Sequence, residues 1–455
     1  MFSTEKAMPS SVQRLLSEDE GQRLDFKSKR IDAAKLSRTL VAFANSDGGE
    51  VYIGVEDDKT WDGFHKVEEA NQILDIISTI FPLGDFAKGV FISCEGKSGL
   101  VLKVEVSRTQ DIKRTTKDEV YVRFGAQNLH KRDEASLRQL QFSKGVFSYE
   151  DQRINASLLE IENSRAVLQF SLNIVPLVEP FDWLRKQKLI VDEQATVAGL
   201  ILFADEPQVT IPKSGVKLYR YRTRGVEGTR DSLVFDPITI EGNADNLIAK
   251  AVELTIEKTQ DIPKLGASGL EKVLYPKEAI HEIITNAVIH RDYNVNDEVH
   301  IRIFDNRIEV FSPGKLPGYV TTDNILQERF ARNPKIVRLL NKFPNAPNKD
   351  IGEGLNTTFQ KMRALKLRDP QVSETNSGVT VVLYHELLAS PEELILEYLK
   401  VNSEINNSRA RELCREGSEN VIKRVFERMM KARLIERIPE RKGRATAYRL
   451  VGSQI

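Results

Sequence analysis

Four polar side chains recur at every fourth position between Pro276 and Tyr293: Glu278, Glu282, Asn286 and His290. At that spacing they stack on one face of a helix. Ile280, Ile283, Ile284, Ala287 and Val288 supply an apolar stripe along the same segment, and Pro276 suits a first helical position. Asn is costly inside a helix because its amide competes for backbone hydrogen bonds. A Glu followed one turn later by an Asn therefore points to a magnesium and nucleotide site, with Glu282 and Asn286 at its centre. The same row also fits the solvated face of an amphipathic helix.

Acidic residues gather near the N-terminus. Residues 20–27 read Glu-Gly-Gln-Arg-Leu-Asp-Phe-Lys, and residues 54–58 read Gly-Val-Glu-Asp-Asp, just after a strand-like run. If 24–27 is a strand, Leu24 and Phe26 face inward while Asp25 and Lys27 share the other face. Convergent carboxylates can hold Mg²⁺ or Mn²⁺, which polarises a phosphodiester and acidifies an attacking water, and a nearby Lys stabilises developing charge. These acids equally fit a surface balanced by Lys27.

A third group is basic. Between Ser408 and Arg449 there are 13 Lys and Arg against 6 Asp and Glu, an excess of seven positive charges within a chain of net charge zero. A helix opening at Ser418 or Glu419 places Asn420, Lys423, Arg424, Glu427 and Arg428 outward, opposite Val421, Val425 and Met429. Such a helix can enter a major groove while Arg441, Lys442 and Arg444 track phosphate or the minor groove. A protein-contact role uses the same pattern.

The elements that must carry these residues follow from periodicity and punctuation. In residues 1–143, Asp32 caps a helix with Leu36, Leu40, Val41 and Phe43 on one side, and the strand Glu50–Val55 follows the turn Asp47-Gly-Gly. A helix near 68–80 and strands near 89–95, 100–107 and 119–124 complete an α+β domain. In residues 144–388, strand-like runs at 197–204 and 215–222 precede a helix at 244–258. The row of four polar residues, a hairpin over 299–310 and a strand over 379–384 come after it. In residues 389–455, Ser390 and Glu393 form a capping box for a first helix, followed by two more helices and two short strands. The two cysteines, Cys94 and Cys414, have no metal-ligand spacing and fit a reducing cytoplasm. The longest apolar stretch is too short to span a bilayer, so no membrane partner is expected.

Two resemblances sharpen these readings. Glu20-x4-Asp25-Phe-Lys27, Leu40-Val-Ala-Phe-Ala-Asn45, Asp47-Gly-Gly49, Tyr52-Ile-Gly-Val55 and Tyr121-Val-Arg-Phe-Gly125 resemble, in order, the Schlafen AlbA-type domain over about residues 12–140. That resemblance implies nucleic-acid binding, with contacts expected from Lys27, Lys29, Arg30, Lys113, Arg114 and Arg123. Relatives that cut RNA use three acids. Carried over, these fall on Glu20, Asp25 and Asp57, with Glu56 as the rival, and Lys27 beside them. Position 25 departs from many relatives, which have Glu there.

Residues 150–388 resemble the GHKL (Bergerat-type) ATPase fold of the RecG-related C-terminal family, through Glu278–Tyr293, Arg307–Pro317 and Gly352–Leu355. The resemblance implies that Glu282 orients water, Asn286 binds Mg²⁺, and the amides of Gly352 and Gly354 approach phosphates of ATP or another nucleotide. Where the family has an adenine-contacting Asp, this chain has Ser312-Pro-Gly314, so binding is expected and hydrolysis is in doubt. No P-loop motif is present.

The expected fold is thus α+β and multidomain: an AlbA-like α+β domain, a GHKL-type α/β sandwich and a C-terminal winged helix-turn-helix. The first functional reading is a cytoplasmic, nucleotide-responsive protein that binds DNA or RNA, as a bacterial transcriptional regulator would. The alternative is a Schlafen-like metal-dependent nuclease gated by nucleotide, of a kind that could serve phage defence. A third is a structural GHKL-type dimer, a homo-oligomer without chemistry.

Overall fold

The structure is a computed structural model and describes residues 3–451, apart from 163, 175–178, 261, 267–268, 273–274, 344–353, 366, 385–390, 415–417, 440, 442 and 444–445. Gly352, Lys442, Arg444 and Ser390, and the expected boundary at 388, lie outside the described residues, as does the Glu393 side chain.

The N-terminal sheet has five strands in the order Ser3–Ala7, Ala87–Cys94, Val101–Val106, Gly49–Ile53 and Leu24–Lys27. The two outer pairings are parallel and the two inner ones antiparallel. Helices Ala33–Ala44 and Asn71–Ile80 press Leu36, Leu40, Phe43, Ile73 and Ile77 onto Val51, Ile53, Phe91 and Val104. Asp32 caps the first of them by accepting from the amides of Ala34 and Lys35. On the opposite face Val12 packs with Phe26, Tyr52, Trp61 and Val101. Both faces are therefore covered, so Asp25 is buried along with its inward neighbour Phe26. A hairpin of Val120–Phe124 and Gln127–Lys131 lies against Ala33–Ala44.

The helix Glu134–Lys144 leads into the middle region and ends at Gly145, whose φ of 71° suits a residue without Cβ. The middle sheet has six strands, in the order Ile238–Ile240, Val216–Arg220, Val299–Ile303, Arg307–Pro313, Gly378–Tyr384 and Gln371–Glu374. Among the described strands of this sheet, only Val216–Arg220 and Val299–Ile303 pair in parallel. Helices Ala244–Thr259 and Lys277–Ile289 bury Leu247, Ile248, Ile280 and Ile284 against it.

The strand expected at 197–204 is a helix, Val197–Phe203, with the Thr196 hydroxyl accepting from the Gly199 amide. Every residue in it is buried, so its apolar run has neither period and could not separate helix from strand.

The C-terminal region comprises helices Pro391–Val401, Asn407–Cys414 and Glu419–Lys431, with a sheet of Ile405–Asn406, Ala447–Leu450 and Ile435–Arg437. Ile422, Val425, Phe426 and Met429 are the buried face of the third helix, while Val421 is 40% exposed. The expected inward face was thus one residue out of register at its start, because Ile422 lines up with Val425, Phe426 and Met429 at the 3, 4 and 7 spacing of a helix. No described helix is long and apolar enough to cross a membrane.

Candidate functional site

A cavity of about 730 Å³ opens between the helix Lys277–Ile289, the strand Arg307–Pro313 and the segment 314–331. Glu278, Glu282, Asn286 and His290 all line it, so the row of four points into the cavity. Asn286 donates its amide N–H to Glu282 Oε1 at 2.8 Å. Burial raises the Glu282 carboxyl above its ordinary range, and the Asn286 hydrogen bond opposes that rise. Burial, with Arg332 nearby, holds His290 neutral, and its Nδ1 finds no partner among the described residues.

Two glycines on the rim lie close against neighbouring side chains. Gly354 begins the helix Gly354–Ala364, and a Cβ there would overlap the Glu282 carboxylate. Gly314 has a φ of 97°, and a Cβ on it would collide with Asp292. Ser312 also lines the cavity, but its hydroxyl donates to the Ala287 carbonyl at 2.7 Å. That bond ties strand to helix and leaves only the hydroxyl lone pairs for a ligand.

In the N-terminal region the structure brings Glu20, Asp25, Lys27 and Arg123 together. Lys27 pairs with Asp25 and lies 3.4 Å from Glu20, whose Oε1 also accepts from the Phe26 amide at 2.9 Å. Arg123 Nη1 donates to Asp25 Oδ2 at 2.9 Å and to Asn128 Oδ1 at 2.9 Å, and Arg123 Nε donates to the Gly21 carbonyl at 3.0 Å. Burial, then a hydrogen bond with Glu20, pushes the Asp25 carboxyl up against the pull of Lys27 and Arg123. Burial works against Glu20 too, but Asp25, the Phe26 amide and Lys27 outweigh it and hold Glu20 low. The two acids thus share the tendency to hold one proton between them.

Asp57 does not join this group. It is exposed, and among the described residues no three His, Cys, Asp or Glu side chains are placed to hold a metal ion. Its neighbour Glu56 accepts from the Ser28 hydroxyl instead. Arg123, expected on nucleic acid, is 4% exposed and its guanidinium is spent on Gly21, Asp25 and Asn128.

Two known families match parts of the chain. Residues 20–132 match the family model described as "Schlafen, AlbA_2", and residues 296–383 match the one described as "Putative ATP-dependent DNA helicase recG C-terminal". The chain joins a Schlafen AlbA_2 module to a RecG-type C-terminal module. The two matches support nucleic-acid binding and ATP binding. Ser312, Gly314 and Gly354 fall inside the second match, whereas Glu282 and Asn286 precede it. No curated protein matches the chain. Among solved structures, the DIP2311 protein from Corynebacterium diphtheriae is 18% identical, with 97% of this chain and 96% of that chain covered at a TM-score of 0.43.

The RecG-type cavity fits a nucleotide. Ile283, Val310, Leu316, Val320, Val379 and Val381 give it an apolar wall, and Lys277 and Arg329 line it without ion-pair partners among the described residues. The cavity is also large enough for such a ligand. Sequence reading missed Lys277, Lys315 and Arg329 in its wall. It also missed the buried Asp292–Arg332 pair, at 3.0 Å, beneath the Gly314 turn. The signal for that pair was present as Arg-Asp-Tyr and Arg-Asn-Pro, but nothing local linked positions 40 residues apart.

In the C-terminal region Lys423, Arg424, Arg428 and Arg441 are exposed. Three of them are in ion pairs: Lys423 with Glu419, Arg428 with Glu392 and Arg441 with Glu404. Exposed pairs of this kind are weak and open easily to a phosphate.

Proposed function

We propose that the chain is a cytoplasmic, nucleotide-responsive nucleic-acid-binding protein, acting as a transcriptional regulator. The observation that carries this reading is the Lys315–Asp47 ion pair, at 3.1 Å. Lys315 is in the cavity wall, and Asp47 belongs to the Asp-Gly-Gly turn of the AlbA_2 module. Burial works against ionising Asp47, but Lys315 and Gln22 outweigh it and hold its carboxyl below the usual range. Gln22 donates to Asp47 Oδ2 at 2.6 Å and to the Arg123 carbonyl at 3.2 Å, and accepts from the Gly125 amide at 2.8 Å. A contact therefore runs from the cavity wall to the hairpin that carries Arg123.

A nucleotide with Mg²⁺ would supply phosphate charge and a hard cation to this cavity. Asn286 and Glu282 are the residues to hold the metal and its water, Gly354 opens a helix whose amides suit phosphate, and Lys277 and Arg329 match the remaining charge. Lys315 would then choose between Asp47 and a phosphate, which changes how firmly the AlbA_2 hairpin is held. Exposed Lys423, Arg424, Arg428 and Arg441 offer a second basic surface, in the manner of a winged helix.

Calorimetry with ATP–Mg²⁺ on full-length protein tests the first step, and DNA affinity with and without nucleotide tests the second. Absence of ATP binding, or identical DNA affinity in both states, refutes the reading.

A second reading, a metal-dependent nuclease, is favoured by the Glu20–Asp25 pair with its unequal proton affinities beside Lys27. It requires that purified protein with Mn²⁺ cuts RNA or DNA and that Glu20→Ala with Asp25→Ala does not.

A further inference from the structure

A second cavity, of about 530 Å³, is lined by Arg220, Arg222, Arg224, Val234, Phe235, Lys258, Ile262 and Asp305. It shares no residue with the larger cavity. Four of the eight lining side chains are cationic and one is anionic. Like charges gathered in a concave wall repel one another unless an anion offsets them.

The arginines are not equivalent. Arg220 is 7% exposed and is committed to Asp305 and to the Tyr221 carbonyl. Arg222 and Arg224 are exposed, and neither guanidinium has a hydrogen-bond or ion-pair partner among the described residues. One arginine is thus locked in place while two are free to bind. Lys258 is the fourth cation; it pairs with Glu257 at 2.7 Å, and its ammonium lies 5.5 Å from the Phe235 ring centre. Phe235, Val234 and Ile262 give the cavity an apolar wall beside the charges.

The backbone around the cavity is pinned. The Tyr221 amide donates to the Ile303 carbonyl at 2.8 Å, the Asp305 amide to Thr223 at 3.0 Å, and Arg307 Nη2 to Val226 at 2.9 Å. Arg220 and Asp305 also place the cavity at the carboxyl ends of Val216–Arg220 and Val299–Ile303, the one parallel pair among the described strands of this sheet. Ligands collect at the carboxyl ends of parallel strands, where the loops diverge and leave a crevice.

We infer that this cavity is a phosphate-ester site separate from the nucleotide cavity, taking a nucleotide phosphate that is either free or at the end of a nucleic-acid strand. Arg222 and Arg224 clamp the phosphate, Lys258 adds charge, and the Phe235 side of the wall takes the flat base. An inorganic anion alone would leave most of the volume unfilled, and an apolar ligand would leave the cations unmatched.

The test uses full-length protein and the double variant Arg222→Ala with Arg224→Ala. Because both side chains are exposed and unpartnered, the variant keeps the wild-type melting temperature. One arm follows a short 5′-phosphorylated single strand by fluorescence anisotropy. The other follows ADP by calorimetry in an Asn286→Ala background, where the larger cavity is weakened. The double variant loses roughly ten-fold or more in affinity in one arm, as expected for removing charge-assisted hydrogen bonds. A loss in the strand arm identifies a strand end, and a loss in the ADP arm identifies a free nucleotide. A double variant that matches its parent in both arms, or a parent that binds neither probe, overturns the site.

Discussion

The acid cluster of the AlbA_2 module and the cavity of the RecG-type module use similar residues to opposite ends. Asp25 is 1% exposed and its carboxylate is gripped by Lys27 and Arg123, so its oxygens are consumed by the protein. Glu282 bonds only Asn286 among the described residues and faces about 730 Å³ of space. A carboxylate that is desolvated and ion-paired is part of the fold, whereas one that is desolvated beside a void is available to a ligand.

Six variants would break or sharpen that contrast. Arg123→Ala strips the buried Asp25 of one of its two ion-pair partners and leaves it only Lys27, and urea unfolding should show a loss of about 3–5 kcal/mol. Replacing Asp25 and Arg123 together with apolar residues of similar volume should recover most of that loss. If Arg123→Ala proves harmless to stability but lowers nucleic-acid affinity, Arg123 belongs to a binding surface after all.

The seam between the two modules holds Lys144, whose buried ammonium donates to the Ala44 carbonyl at 3.0 Å. Burial, with Arg108 nearby, depresses its pKa from the ordinary 10.5 to about 7. The unfolded chain therefore binds more protons than the folded one between those values, so stability from this group rises as pH goes from 7 to 10. Relative to Lys144→Met, wild type should gain about 2–4 kcal/mol across that range. A constant difference would show that Lys144 reaches water.

Gly354→Ala tests the open side of the contrast. The added Cβ drives into the Glu282 carboxylate, so ATP–Mg²⁺ affinity should fall by roughly ten- to a hundred-fold for about 1–3 kcal/mol of overpacking. Unaltered binding would place the nucleotide elsewhere.

Asp47→Ala frees Lys315 for phosphate, so ATP affinity should rise while the nucleotide effect on DNA binding, worth about 1–3 kcal/mol in typical allosteric couplings, collapses. Persistence of the effect would move the communication to Glu374, which accepts from Arg108 and from the Leu316 amide.

The smallest effect on the fold should come from Arg424→Ala with Arg428→Ala. The melting temperature should barely change, while the slope of log DNA affinity against log salt falls by about two. An unaltered slope would assign this helix to protein contact.

The local elements were legible because their signals are local. Asp32 before an apolar-periodic run, the alternating residues of 299–310 and the stack Glu278, Glu282, Asn286 and His290 each need only a few neighbours to be read. The helix Val197–Phe203 was illegible for the opposite reason, since burial on every side removes the period. Residue type and spacing also placed Glu282 and Asn286 one turn apart, and so determined that they could meet. What residue type could not determine was which charges water would reach. Arg123 closes over Asp25 from 98 residues away and Lys315 meets Asp47 across 268. Desolvation and ion pairing depend on what packs over a side chain, and that is decided by the tertiary structure alone.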